Sequence, residues 1–433
     1  MRIEIRGSEL AAATAAAALS WVGHRVHWVP HQSMPWSALQ HADWLAREPE
    51  LRARLAEGRE QGALTVDGSE PREPGAADVL WLALSPEQRG DADGLVAEVT
   101  RDRSRPLLLV NNSTFPVGET ERLEGNLGEA ARAVALVDTL EEGRAWESFT
   151  RPGRWLLGCD DNWAESQVRE LLRAFNRRRD VFQRMPRRAA ELTKLATIGM
   201  LATRISYMNE IAGLADTLGV DVEYVRQGMG ADSRIGYEYL YPGCGFGGPN
   251  FSRDLMRLAD VQEASGRHSA LLEQVLDINE QKKETLFRKL WTHFHGRLEG
   301  RTLAIWGAAF KPGSARIDHS PVLPLLHALW AQGVDVRLHD PAATPAMRAE
   351  LGEHPRLTLF DGDPYRTCEG ADALMLVTEW KHYWNPDWGR LAGLLNERLL
   401  LDGRNIYDPR HVAGWGLTYR GIGRRADPDE QRS

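Results

Sequence analysis

Residues 234–254, RIGYEYLYPGCGFGGPNFSRD, hold the densest set of groups able to bring backbone against a ligand. Gly243, Gly245, Gly247 and Gly248 fall within six positions, with Phe246 among them. Glycine lacks a Cβ, so such a loop reaches positive φ and approaches another group closely. A helical pattern follows over 251–264. A glycine loop entering a helix N-terminus offers unpaired N–H groups and a favourable dipole to an anion. The same residues also suit a plain structural turn with Asn250 as helix cap. The glycines alone leave both readings open.

A second candidate lies at the N-terminus. The phosphate-binding turn of a dinucleotide fold is G-x-G-x-x-G after a strand, with an acid at the end of the next strand. Gly7 follows the strand pattern at 2–6, Glu9 and Ala12 hold the next two glycine positions, and Pro30 holds the place of the acid. Ala12 suits the close helix packing that the third glycine serves. Glu9 sets a carboxylate where the backbone should approach a pyrophosphate; like charges about 4 Å apart repel by roughly 1–4 kcal/mol. Pro30 offers no polar side chain. Glu4 and Arg6 also interrupt the nearly continuous apolar run of a buried parallel strand. The placement is that of a dinucleotide turn, and the residues are not.

These groups need elements to hold them. Strand patterns at 2–6, 24–29, 79–84 and 106–110 alternate with an alanine-rich helix at 10–22 and a charged helix at 44–60. That alternation implies a parallel sheet covered on both faces. Further α/β elements occupy 137–186, including a strand at 155–158. Leu195, Ile198, Leu201, Ile205, Met208, Ile211 and Leu214 then keep helical spacing within a pattern over 187–218 that Gly219 stops. Such a helix is about 45 Å long at 1.5 Å per residue. It reads as a spine between two lobes with a face available for a dimer. A second α/β series opens at Gly300, with strands at 302–306, 334–339, 373–378 and 399–402 and a helix at 321–332. The expected fold is therefore α/β, with two Rossmann-like doubly wound parallel-sheet domains joined by a long central helix. The expected boundaries are 1–186, 187–297 with the glycine loop, 298–424, and a disordered charged tail at 425–433.

Composition narrows the function. The 53 basic residues against 61 acidic ones leave a net charge of -8, which does not favour nucleic acid. No apolar run approaches the roughly 20 residues of a membrane span, and the start, MRIEIRGSEL, lacks the apolar core of a signal peptide. Cys159, Cys244 and Cys368 are widely spaced, which suits a reducing cytoplasm and gives neither a disulfide framework nor a metal-ligand spacing.

With these parts placed, the chain resembles the UDP-glucose/GDP-mannose dehydrogenase family over nearly its whole length. Asn112-Ser113-Thr114-Phe115-Pro116-Val117-Gly118 looks like the family's S-T-x-P-x-G segment. Leu140-Glu141-Glu142-Gly143 with Arg151-Pro152-Gly153-Arg154 looks like L-R-E-G followed by P-D-R. Glu191-Leu192-Thr193-Lys194 and ISYMNEIA at 205–212 match the central helix, and 234–254 matches P-G-x-G-F-G-G-S-C-F-P-K-D. GAAFKPGSARIDHSP at 307–321, Thr378-Glu379-Trp380 and Asp402-Gly403-Arg404-Asn405 match the C-terminal domain.

The resemblance implies oxidation of the C6 alcohol of a nucleotide sugar to a carboxylate, in two hydride transfers to NAD, with a cysteine thiolate holding the aldehyde. NAD would sit in the N-terminal domain around Gly7, Glu9, Ala12, Pro30 and Ser85. The nucleotide sugar would meet Tyr239, Leu240, Gly245, Phe246, Gly247, Gly248, Lys311 and Arg404. Lys194, Thr114, Glu142 and Asp254 match the family's catalytic positions, Lys194 as a stabiliser of developing alkoxide charge. No metal is implied, and the central helix would make a homodimer. The departures fall on the chemistry. Asn250 stands at the nucleophilic cysteine, and an amide cannot form a thiohemiacetal or thioester. Pro249 replaces the preceding serine, Ile198 an asparagine one turn after Lys194, and Asp318 an arginine. Cys244, six residues from Asn250, reads as an inert small residue. The expected function is binding of a nucleotide sugar or related phosphorylated ligand with the four-electron oxidation lost, leaving a pseudoenzyme or a non-redox enzyme. The alternative is a nucleotide-sugar dehydrogenase limited to a two-electron step.

Overall fold

The strand Val79–Leu82 is buried along its whole length, as a strand covered on both faces must be. It belongs to the first of two sheets in the computed structural model, which describes residues 1–30, 35–40, 42–66, 76–100, 105–177 and 179–425. The chain divides between Thr197 and Ile198 into two compact units, each with its own sheet.

In the first unit the strands are β1 (Arg2–Arg6), β2 (Arg25–Val29), β3 (Leu64–Val66), β4 (Val79–Leu82), β5 (Leu107–Asn111), β6 (Ala131–Leu136), β7 (Trp155–Gly158) and β8 (Phe182–Met185). Their order is β3-β2-β1-β4-β5-β6-β7-β8. The winding reverses between β1 and β4, the switch point where such sheets bind ligands. The sheet is not wholly parallel, because β6 and β7 run antiparallel. Ile3, Ile5, Val26, Trp28 and Trp81 face one core together with the helix Leu10–Trp21. Leu80, Leu82, Leu107 and Leu109 face the other.

The second unit holds β9 (Thr302–Trp306), β10 (Asp335–His339), β11 (Leu357–Phe360), β12 (Ala373–Leu376), β13 (Leu399–Asp402) and β14 (Thr418–Gly421). They form a six-stranded sheet in the order β11-β10-β9-β12-β13-β14, parallel throughout. Between the sheets in sequence runs the long central helix Arg187–Leu218, 32 residues without a break. Among the described residues, no helix is long and apolar enough to cross a membrane.

Local chemistry explains the departures from pattern. The charged helix expected over 44–60 is two, Asp43–Ala46 and Pro49–Glu60. Pro49 has no N–H and restricts the residue before it, so it starts a helix rather than continuing one. Glu4 and Arg6 are buried and pair with each other at 2.6 Å, while Arg6 Nη2 lies 3.1 Å from Glu98. A buried charge is tolerated when paired, so they occupy the strand without breaking it. Asn250 is not a helix cap: the helix is Pro249–Ala264, Gly248 is its N-cap, and Pro249 takes the first position. Arg425, placed in the expected tail, pairs with Arg420 in an isolated antiparallel bridge. The rest of that tail, 426–433, lies outside the described residues.

Candidate functional site

In the first unit, the chain leaving β5 turns through Asn111, Asn112, Ser113 and Thr114 at the carboxyl end of the sheet. Asn111 Oδ1 accepts the Ser113 N–H at 3.1 Å, and Asn111 Nδ2 donates to Thr120 Oγ1 at 2.9 Å. Asn112 Nδ2 donates to the Leu136 carbonyl at 2.9 Å, tying this turn to β6. Lys194, on the long helix, donates to the Asp138 carbonyl and stands 3.8 Å from Asp138 Oδ2. Thr114, Asp138, Glu191 and Lys194 line one small cleft, with Asn111, Ser113 and Phe115. An ammonium group beside a hydroxyl can steady negative charge developing on a substrate oxygen. Thr114 and Lys194 are thus brought together. Glu142 is not among the lining residues of that cleft. It lies in a turn whose neighbouring Gly143 and Ala145 N–H groups are held by Glu48 at 2.5 and 3.1 Å.

Around the first switch point, Gly7 has φ 144°, and a Cβ there would lie 2.1 Å from the Ala83 carbonyl oxygen. Only glycine fits. Ala12 is fully buried. Glu9 is the exposed N-cap of the helix Leu10–Trp21 and makes no side-chain cap bond. Pro30 is buried, and Ser85 caps the short 3₁₀ helix Pro86–Asp91 through a reciprocal pair with Gln88.

In the second unit the glycine loop packs onto the strand ends, and its polar backbone is largely spent inside the protein. The Gly243 N–H goes to Asn209 Oδ1, that of Cys244 to the Gly403 carbonyl, that of Phe246 to Asn279 Oδ1, and that of Gly248 to the Asp318 carbonyl, each at 2.8 Å. Asn279 Nδ2 returns a bond to the Phe246 carbonyl at 3.0 Å. A Cβ on Gly247 would meet the His319 carbonyl oxygen at 2.6 Å, and one on Gly248 the Phe310 ring at 2.7 Å. These glycines therefore serve close packing, and four of the N–H groups expected to face an anion are taken. Arg404 holds the same loop, donating to Gly245 O at 3.0 Å and to Val377 O at 2.7 Å. Lys311 stands 5.7 Å from the Phe310 ring centre. Tyr239 is exposed at φ 59°, whereas Leu240 is buried in the core. Asp254 is 2 % exposed and paired with Arg253 at 3.3 Å and Arg257 at 3.9 Å. Cys244 is fully buried, and burial pushes its thiol pKa up. A thiol held protonated and away from solvent is no nucleophile.

Residues 188–281 match the UDP-glucose/GDP-mannose dehydrogenase family, central domain, and 304–409 the UDP binding domain of that family. A UDP-glucose 6-dehydrogenase of Pseudomonas aeruginosa is 38% identical over 443 residues, covering 98% of this chain and 98% of the relative. The chain belongs to the UDP-glucose/GDP-mannose dehydrogenase family. A UDP-glucose 6-dehydrogenase of Rhizobium meliloti is 30% identical, covering 98% of this chain and 100% of that one. The solved UDP-glucose dehydrogenase of Pyrobaculum islandicum superposes with a TM-score of 0.83 at 26% identity, over 98% of this chain and 97% of that one.

Within this family frame, sequence reasoning missed the residues that hold the loops. Asn209 and Asn279 carry the glycine loop, and Asp340 gathers five N–H groups. It accepts from Ala308, Ala309 and Trp380 on Oδ2, and from Ala342 and Ala343 on Oδ1, at 2.7–3.0 Å. Asp340 had a signal, since it closes the second strand of the second sheet, where a doubly wound fold often keeps an acid.

Proposed function

We propose that this chain binds a nucleotide sugar through its second unit and does not carry out the cysteine-dependent second oxidation. The observation that carries this reading is Asn250 at the nucleophile's position, with Cys244, six residues earlier in the chain, too buried to replace it. The match to a UDP binding domain supports the ligand class. In the first unit, Gly7 and Ala12 keep the shape of a dinucleotide turn, but the donor set does not fit NAD held in the usual mode. Glu9 places a carboxylate at the helix N-cap, where a pyrophosphate needs positive potential, and Pro30 cannot accept from a ribose hydroxyl. The reading leaves a non-catalytic binding protein or a non-redox enzyme. It also includes a homodimer through the long helix and a reducing, cytoplasmic setting suited to three free buried cysteines. A second reading, a two-electron dehydrogenase, is favoured by the cleft that keeps Thr114 and Lys194 together.

Calorimetric titration of NAD and of a nucleotide-sugar panel, each alone, separates these readings. Binding of a nucleotide sugar without NAD is the expected result. NADH formed from UDP-glucose and NAD would establish the second reading. No heat from any nucleotide sugar would overturn both. Mass spectrometry of nucleotide sugars incubated without NAD then detects non-redox products.

A further inference from the structure

Glu191 lies three residues before Lys194 on the long helix, so both side chains reach the same cleft. Its carboxylate accepts the Gly118 N–H on Oε2 at 2.6 Å. On Oε1 it accepts the Thr120 N–H at 2.9 Å and the Thr120 hydroxyl at 2.6 Å. Gly118 and Thr120 begin the helix Glu119–Gly125, whose first-turn N–H groups have no helical partners. Glu191 therefore caps that helix from a different element. The path continues beyond the cap. Thr120 Oγ1 receives Asn111 Nδ2 at 2.9 Å, and Asn111 Oδ1 holds the Ser113 N–H at 3.1 Å. A continuous line of hydrogen bonds thus runs from the helix that carries Lys194 to the backbone next to Thr114. The 118–120 end of the segment is bonded to the carboxylate directly, and the Ser113 end reaches it only through Asn111 and Thr120. Lys194 itself reaches the other way, to Asp138 after β6.

We infer that Glu191 is a positioning residue, which fixes the segment bearing Thr114 against the helix bearing Lys194 and so sets the geometry of this cleft. The inference rests on the second reading above, in which that cleft is the reacting site. An ionised carboxylate suits the role because each of its three hydrogen bonds is charge-assisted. A carboxamide offers one acceptor oxygen and places two N–H hydrogens against donors.

The test uses full-length protein with two variants. Hydrogen exchange over 113–120 and the acetylation rate of Lys194 are followed by peptide mass spectrometry. Glu191→Gln is expected to speed exchange across 113–120 by about tenfold or more, the scale of one lost charge-assisted bond. Lys194 acetylation should change at the same time. Thr120→Val keeps the carboxylate and cuts the relay; it should loosen 113–115 while Gly118 stays protected, and it answers the question even if Glu191→Gln does not fold. Loosening confined to 118–120 with Lys194 acetylation unmoved would make Glu191 a helix cap only and overturn the inference. A separate arm adds UDP-glucose with NAD to the native protein. If exchange at 113–120 then stays unchanged while the variants behave as expected, the reading of the cleft fails and the clamp stands.

Discussion

Gly228 and Gly247 show how differently one residue type acts in this chain. Gly228 lies at an exposed position of the helix Val222–Ala231 with nothing within 4 Å of a would-be Cβ. Gly228→Ala lowers the entropy of the unfolded chain at no steric cost, and should stabilise by about 0.5–1 kcal/mol. At Gly247 a Cβ would lie 2.6 Å from a backbone oxygen, which cannot swing aside as a side chain can. Gly247→Ala should destabilise by about 1–3 kcal/mol. Thermal unfolding of the two variants should move Tm in opposite directions; equal shifts would refute the packing account. The close approach of this loop was legible, because four glycines in six positions have few other uses. Its partners were not. Asn209 and Asn279 lie 34 and 33 residues from the N–H groups they accept, and no local pattern marks an asparagine whose partner is that far along the chain. For the same reason the glycines suggested a cradle with free N–H groups, whereas the fold fills most of them.

Among elements, the helix Glu119–Gly125 has a charge arrangement that predicts its response to acid. Glu119 is buried in the first turn, where a carboxylate is favoured by the helix dipole. Arg122 reaches it at 2.6 Å and Arg89 at 2.8 Å. Burial alone would raise its pKa, but the hydrogen bonds from these two arginines outweigh burial and hold it below the usual value. A depressed carboxylate contributes stability that is present above its unfolded pKa, about 4.3, and is lost as pH falls through the folded value. Glu119→Gln should therefore cost about 1–2 kcal/mol at pH 7, and the gap in urea midpoint between native and variant should narrow as pH falls below about 4.3. A constant gap down to pH 3 would reject the ion pairs as its source. At this scale much of the fold was legible. The strands at 155–158, 302–306 and 399–402 match the structure, because short apolar runs between turn residues have one natural home in a parallel sheet. The strands Leu64–Val66, Ala131–Leu136, Phe182–Met185, Leu357–Phe360 and Thr418–Gly421 were missed. All but Ala131–Leu136 lie at sheet edges, where pairing rather than apolar content makes the strand, and Ala131–Leu136 is interrupted by Arg132.

For the whole molecule, the long helix argues for assembly. Met200, Tyr207 and Leu214 recur every seven residues and are 62%, 49% and 53% exposed, with Leu218 at 66%. A seven-residue spacing keeps side chains on one stripe, the pattern by which helices pack against one another. A lone chain gains nothing from holding such large apolar groups in water, and in the proposed homodimer this stripe is the expected contact surface. A second copy is the simplest occupant, since the stripe on one helix can meet the same stripe on another about a two-fold axis. Light scattering behind a sizing column should then give twice the 48.5 kDa of one chain. Leu214→Glu and Tyr207→Glu place a charge in the middle of the stripe, and each should shift the species to a single chain without altering the far-ultraviolet circular dichroism. Because both side chains are exposed on the isolated chain, neither substitution needs room in a core, and a fall in mass would report the interface itself. A native protein of single-chain mass at micromolar concentration would leave the stripe without its partner and remove the argument.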